Sequence, residues 1–394
     1  MSSINVVIIG ASFAGINVGH SLLKGGPIVN IKVVLINPST NFYFPIIAPR
    51  IFAKPDAFRS KQYLFPIKDL FARYPSDSFE FIIGTATNID VTAKMVCVTI
   101  NGGQDSTLVA YDYLVIASGS TTDATTGSIT GFPIPFKQSG RDDMMQLIEA
   151  AQKQIAGASK IAIGGAGPIG VELAGELAEA ADQRGNADEM SITLVSASDR
   201  VLPTLKLSAS NAGQRLLELK KVKIISSTRV VGVQASTDNY GRKIWVVSLD
   251  NGDKLSADLY IPTTGVVPNN NFIPPQFLDS SGWVKVDKEL RVQSSGSSSP
   301  LPIYAAGDIT TNTMRLSFKA REQAEVVGTN LKSDILGKGC RKTYDEGESV
   351  VMFVPVGESG GTGQLFGMTI WSFLVRLFKA RDFFISKARS AVAG

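Results

Sequence analysis

Two stretches of the chain repeat one pattern of apolar and small residues. Each has a β-branched run, a glycine-rich turn, a segment of helical period and a second apolar run. The first starts at Ile4-Asn5-Val6-Val7-Ile8-Ile9 and enters Gly10-Ala11-Ser12-Phe13-Ala14-Gly15. It continues as a helical stretch to Leu23, passes Gly25-Gly26 and reaches the run Ile31 to Ile36. Apolar runs of this length, interrupted only by Asn5 and Lys32 near their starts, predict parallel strands buried on both faces, joined here by a helix into a βαβ unit. The second copy runs from Lys160-Ile161-Ala162-Ile163-Gly164 into Gly165-Ala166-Gly167-Pro168-Ile169-Gly170, with the helix Val171 to Leu177 and the strand Ile192 to Val195 following.

The second turn follows the G-x-G-x-x-G rule of a dinucleotide-binding fold in full, and the first follows it with one exchange. The first glycine makes the tight turn, the second lets backbone amides meet a pyrophosphate at the helix N-terminus, and the third lets helix and strand approach. All three are present in the second copy as Gly165, Gly167 and Gly170, and Pro168 suits a first helical turn. In the first copy Gly10 and Gly15 are kept, Ala14 precedes the third glycine and Ser12 replaces the middle one. The ribose-binding carboxylate expected after the second strand is Asn37 in the first copy, an amide that can still bond a diol. In the second copy the position holds Ser196, with Arg200 four residues on, an arrangement compatible with NADPH or with use of both nucleotides. Either copy alone could be a βαβ unit without a nucleotide; the repetition makes dinucleotide binding the expectation.

Three further apolar runs end in small residues. Tyr111 to Ser120 ends in Ala117-Ser118-Gly119, a place for the chain to leave one fold and enter the other, and Ile261 to Asn269 carries Thr264-Gly265 at the return crossing. The run Pro302 to Ile309 ends in Gly307-Asp308, where a glycine permits close approach and an aspartate can accept hydrogen bonds from a sugar or ribityl hydroxyl. Ser294 to Pro300 reads as a low-complexity turn, too short for an inter-domain linker.

Composition narrows the chemistry. The 394 residues are 44% apolar and 19% charged, enough for two or three globular domains. There is one histidine, His20, and there are two cysteines, Cys97 and Cys340. These scarcities exclude a paired-histidine zinc site, a Cys-x-x-Cys dithiol and a zinc knuckle; no metal site is predicted, and the chemistry falls to a bound cofactor. His20 reads as a packed or surface helix residue. A net charge of +4 is too slight for a nucleic-acid binder. The N-terminus lacks a basic n-region, Ser2 replaces the glycine that myristoylation needs, and no run of 18 apolar residues occurs, which predicts a cytoplasmic, non-secreted chain.

The order of these motifs resembles the two-dinucleotide-domain flavoprotein reductases, a group that includes type II NADH dehydrogenases and apoptosis-inducing factors. The resemblance covers about residues 4 to 330. It implies an α/β protein of two Rossmann-like folds, FAD in the first and NAD(P)H in the second, and hydride transfer between them. The implied boundaries are 1–118 with 262–335 for FAD, 119–261 for NAD(P)H, and a C-terminal interface segment at 336–394. The tail around Phe353 to Leu365 and Val375 to Phe384, with Ala48-Pro49-Arg50 near the flavin, is similar to the ferroptosis-suppressor group of apoptosis-inducing-factor-like proteins. That group implies an NAD(P)H:quinone oxidoreductase working at membrane surfaces. A tailoring reductase for a specialised metabolite or electron-transfer partner, and a slow flavin-bearing signalling protein, remain alternatives.

By the same resemblance Glu172 is the carboxylate beside the nicotinamide and flavin, orienting the carboxamide or the Arg50 side chain. Glu176, one turn on, reads as structural. In the tail, Ile370, Phe373, Leu374, Leu377 and Phe378 fall on one stripe of a single helix, flanked by Arg376, Lys379 and Arg381. A basic amphipathic helix of this kind can lie on an anionic membrane, cover the flavin domain or form a homodimer seam.

Overall fold

The computed structural model describes residues 3–24, 30–100, 103, 105–294, 300–311, 313–347 and 350–394. Gly25-Gly26 and most of the Ser294–Pro300 turn lie outside the described residues. Strand Ile4–Ile9, whose Val6, Val7 and Ile8 are fully buried, lies between parallel neighbours Ile31–Asn37 and Tyr113–Ile116. Ile303–Ala305 flanks Tyr113–Ile116, and Phe79–Asp90 flanks Ile31–Asn37. Met95–Ile100 and Ser106–Ala110 complete a seven-stranded sheet as an antiparallel edge. The helices Phe13–Leu23 and Ser317–Leu336 pack together against this sheet.

A second, wholly parallel sheet repeats the design in the order Lys223–Ile225, Ser191–Val195, Lys160–Gly164, Leu259–Pro262. Both sheets are thus Rossmann-like, as the apolar runs require. They are joined where Ser120–Thr122 pairs antiparallel with Val266–Pro268. Ser118 and Asn269 fasten that crossing, with Ser118 Oγ donating to the Asn269 carbonyl at 2.8 Å and Asn269 Nδ2 to the Ser118 carbonyl at 2.8 Å.

The C-terminal segment forms a three-stranded sheet, Met352–Pro355, Gly361–Leu365 and Met368–Thr369, on the second fold. It then returns to the first, where Asn17 Nδ2 donates to the Ala391 carbonyl and Arg73 Nη2 to the Ala393 carbonyl. His20 is a packed helix residue, stacked on Phe71 with centroids 4.3 Å apart and bonded to the Val392 carbonyl.

The single amphipathic helix expected in the tail does not form. Helix Ser372–Val375 gives way at Arg376–Ala380 to a wider turn, in which Arg381 N–H donates to the Arg376 carbonyl. Such a turn advances the helical phase and splits the stripe. Ile370, Val375 and Ala380 are buried, whereas Phe373, Leu377 and Phe378 are half or more exposed. Among the described residues no helix is long and apolar enough to cross a membrane.

Candidate functional site

The first glycine turn is built for close approach. Gly10 has φ +105°, and a Cβ there would meet the Ala117 carbonyl oxygen at 2.3 Å; one on Gly15 would meet the Gly10 carbonyl oxygen at 1.8 Å. Ser12 precedes the helix Phe13–Leu23 and makes no side-chain capping bond, so its hydroxyl does not compete with a phosphate for the helix amides. Asn37 is turned inward: Oδ1 accepts from Ala11 N–H at 3.0 Å and Nδ2 donates to the Ser39 carbonyl at 2.8 Å. This amide braces the glycine turn, a role that its expected place beside a ribose did not foretell.

The second turn has the same geometry with more room. A Cβ on Gly170 would meet the Gly165 carbonyl oxygen at 1.9 Å, but one on Gly167 would point into open space. That space lies over the N-terminus of Pro168–Gln183, which Pro168 opens and where Ile169 is half-buried. Gly165, at φ +117°, is covered by the Thr264 methyl group. The hydroxyl that fastens the turn belongs to Thr263, whose Oγ1 donates to the Gly165 carbonyl at 2.8 Å. Gly265, at φ +76°, lies against the Asp123 carboxylate. Ser196 Oγ donates to the Arg200 carbonyl at 2.9 Å, folding the loop after the strand back on itself.

Near Gly307 and Asp308 the crossing strands come together. Gly307, at φ +84°, sits beside the Ala14 methyl group, and its N–H donates to Gln323 Oε1 at 2.6 Å. Ala117 continues the strand register, donating to the Ile9 carbonyl at 2.8 Å, and Gly119 (φ +65°) has open space where a side chain would stand. Asp308 Oδ2 accepts from Ser120 Oγ at 2.9 Å and from Lys137 Nζ at 2.6 Å, and Lys137 Nζ also touches Ser120 Oγ. Lys137 lies in a loop with no periodicity, so nothing in the sequence marks it. From the same loop Asp142 accepts from Ser39 Oγ at 3.1 Å and Thr40 N–H at 2.9 Å, at the end of strand Ile31–Asn37.

Between the two folds lies a buried set of charges. Arg50, on the helix Ala48–Ala53, donates from Nε to Glu176 Oε2 at 2.9 Å and from Nη2 to Glu176 Oε1 at 2.8 Å. Two further donors, one on Nη1 and one on Nη2, reach the carbonyls of Arg381 at 2.9 Å and Ala380 at 2.6 Å respectively. The expectation that Glu172 would orient Arg50 is therefore corrected: one helical turn further on, Glu176 holds the bidentate position. Glu172 instead accepts from Lys379 Nζ at 2.6 Å, and Lys379 also donates to the Phe353 carbonyl at 3.1 Å. Burial pushes the carboxyls of Glu172 and Glu176 up from the usual value, against the pull of Lys379 and Arg50 respectively. Phe383 lies under both cations, 4.7 Å from Arg50 Cζ and 5.5 Å from Lys379 Nζ. Phe383 and Phe384 both adopt positive φ, 49° and 60°, a strained pair of the sort found at functional sites. Arg50 is legible from the sequence by resemblance; Lys379 stands there only as a basic flank of the tail stripe.

Two glycine cradles on parallel sheets, meeting across one buried ion cluster, define a dinucleotide-dependent oxidoreductase. The chain belongs to the pyridine nucleotide-disulphide oxidoreductase family, whose model matches residues 4–324. It is 32% identical to the oxidoreductase ptaL of Pestalotiopsis fici over 99% of both chains. It is also 27% identical to ferroptosis suppressor protein 1 of Xenopus tropicalis over 98% of this chain and 95% of that one. Among solved structures, the sulfide:quinone oxidoreductase of Aquifex aeolicus superposes with a TM-score of 0.74 at 17% identity, covering 100% of this chain and 93% of that one. Membership implies FAD and NAD(P)H as cofactors. The cradles fit both: a Cβ on Gly167 would meet nothing at the second helix N-terminus, and Ser12 makes no capping bond at the first.

Proposed function

We propose that the chain takes hydride from NAD(P)H through FAD and passes electrons to a quinone-like acceptor. The observation that supports this reading is the meeting of the two folds at Arg50, Glu176, Glu172 and Lys379, where the reacting ends of two cradled dinucleotides would come together. Residues 1–118 and 262–335 would form the FAD part, 119–261 the NAD(P)H part and 336–394 the interface segment. Bound FAD supplies hydride acceptance and two-electron delivery.

In this reading Gly10, Ser12, Ala14 and Gly15 take the flavin pyrophosphate, and Asp308, Ser120 and Lys137 take the ribityl hydroxyls. Gly165, Gly167 and Gly170 take the pyrophosphate of the nicotinamide cofactor. Glu172 orients the nicotinamide carboxamide, and Lys379 holds Glu172 and supplies positive charge beside the acceptor. Arg50, with all three of its nitrogens engaged, acts as a positioning residue that joins the folds and the tail. The name of the Aquifex relative supports a quinone as acceptor.

The tail supports a membrane surface as the place of work. Leu207, Phe366, Met368, Trp371, Phe373, Leu377 and Phe378 are exposed, and Arg376 and Arg381 stand among them. Apolar residues with interspersed cations suit the interface of an anionic bilayer.

Flavin absorbance of the purified protein and anaerobic stopped-flow reduction test the proposal. NADH or NADPH should bleach the flavin and a short-chain benzoquinone should restore it. A colourless preparation that FAD cannot reconstitute would overturn the whole reading; bleaching without reoxidation by the quinone would overturn the acceptor.

A further inference from the structure

The strand Ser191–Val195 ends beside the second glycine turn, where Gly165 N–H donates to the Val195 carbonyl at 2.9 Å. The adenosine ribose of a dinucleotide cradled on Gly167 falls at that strand end. A carboxylate there would bond a 2′-hydroxyl and repel a 2′-phosphate. This chain has Ser196, Ala197 and Ser198 instead. The next acid, Asp199, is three-quarters exposed and meets Arg200 only at 3.6 Å.

Arg200 is held at this place by its own loop. Leu202, at φ +50°, donates its N–H to the Ala166 carbonyl at 2.7 Å, so the segment after Ser196 is pinned to the glycine turn itself. Arg200 Nη2 donates to the Pro203 carbonyl at 3.1 Å and Nη1 has only the long, exposed pairing with Asp199, which a phosphate would displace. Its Nε is buried and has no hydrogen-bond partner. The solvent-facing end of the group is the part open to a ligand, and a doubly charged phosphate is the acceptor that a guanidinium fork fits best.

We propose that Arg200 selects for a 2′-phosphorylated dinucleotide, so that the chain prefers NADPH to NADH. The inference rests on the reading of the second fold as the NAD(P)H site. Calorimetric titration of the flavin-loaded protein with 2′,5′-ADP and with 5′-AMP separates the two. The first should bind at least tenfold more tightly, and the KM for NADPH in flavin reduction should lie below that for NADH by a similar factor. Arg200→Ala should bring the two nucleotides to near parity with flavin content unchanged, Arg200→Lys should keep part of the preference, and Ser196→Asp should reverse it. Equal binding of both nucleotides to the wild type, or a preference that survives Arg200→Ala, would overturn the selection and leave the dinucleotide site standing. Failure of either nucleotide to bind, with no flavin reduction by NADPH or NADH, would overturn the underlying reading as well.

Discussion

Arg50 and Glu176 form a two-point ion pair across the two folds, with both side chains shut away from water. Such a pair is most costly when half of it is removed, because the survivor is left buried and charged. Glu176→Gln should destabilise the protein by about 3–5 kcal/mol, read as a lower denaturant midpoint. Arg50→Lys, which keeps the charge but loses the fork, should also lower the midpoint, because it abandons the Ala380 and Arg381 carbonyls. A midpoint unchanged in Glu176→Gln would show that the pair contributes nothing to the union of the folds.

Glu172 and Lys379 form the neighbouring pair, and the chemistry is assigned to them. Glu172→Gln keeps the shape and removes the charge, so the protein should retain FAD while its flavin is reduced more slowly by NAD(P)H. Lys379→Met should leave that half-reaction closer to the wild type and slow reoxidation by a quinone. Stopped-flow absorbance separates the two half-reactions. Equal rates in Glu172→Gln and wild type would reduce this carboxylate to a partner of Lys379 alone.

The glycine turns predict opposite outcomes for one chemical change. Gly15→Ala places a methyl group on a backbone oxygen, which cannot give way, and should yield protein without FAD or no folded protein. Gly167→Ala places the methyl group in open space. It should fold with its melting temperature and FAD unchanged, yet raise the KM for NAD(P)H about tenfold, as loss of roughly 1.4 kcal/mol of pyrophosphate contact would. A normal KM in Gly167→Ala would remove the pyrophosphate from that space.

These contrasts also explain what could be read in the sequence. Gly10, Gly15, Gly165 and Gly170 stand where no other residue fits, so the residue type itself reports the backbone, and both parallel sheets follow from the apolar runs around them. Which of Glu172 and Glu176 meets Arg50 was not legible, because the two lie one turn apart on the same helix face and only the distance between folds decides. Lys137 and Asp142 act from a loop whose spacing carries no period. In the tail the residue pattern does not reveal the helical phase, because the helix begins only at Ser372, after Ile370, and a wider turn at Arg376–Ala380 puts the buried Val375 and Ala380 five residues apart while Phe373 and Leu377 face outward.

The exposed residues of that tail give a surface test. Trp371→Ser with Phe373→Ser and Leu377→Ser touches no group of the buried ion cluster, so reduction of a water-soluble quinone should stay near the wild-type rate. Co-sedimentation with vesicles containing phosphatidylserine should fall several-fold, and raised salt should weaken what remains, since Arg376 and Arg381 contribute by charge. Equal sedimentation of the triple variant and the wild type would rule out this face as the one that meets the bilayer.

His20 offers a measurement free of overlap, because it is the chain's one imidazole. Burial brings its pKa down to about 4; Arg73 and Lys24 push the same way, and the bond to the Val392 carbonyl opposes them. In the unfolded chain the same ring titrates near 6.5, so between these values the unfolded state binds the extra proton and stability rises with pH. Stability from the neutral ring is therefore full above about 6.5 and is lost as pH falls towards 4, at up to about 1.4 kcal/mol per pH unit. The ring holds the last residues of the chain onto the first fingerprint helix, so the loss should start there, with the amides of 391–394 exchanging faster. One carbon-labelled histidine resonance should titrate with a midpoint near 4. The fall in melting temperature through this window should be shallower in His20→Gln. A midpoint near the ordinary imidazole value would mean that the tail does not stay docked on His20 in solution.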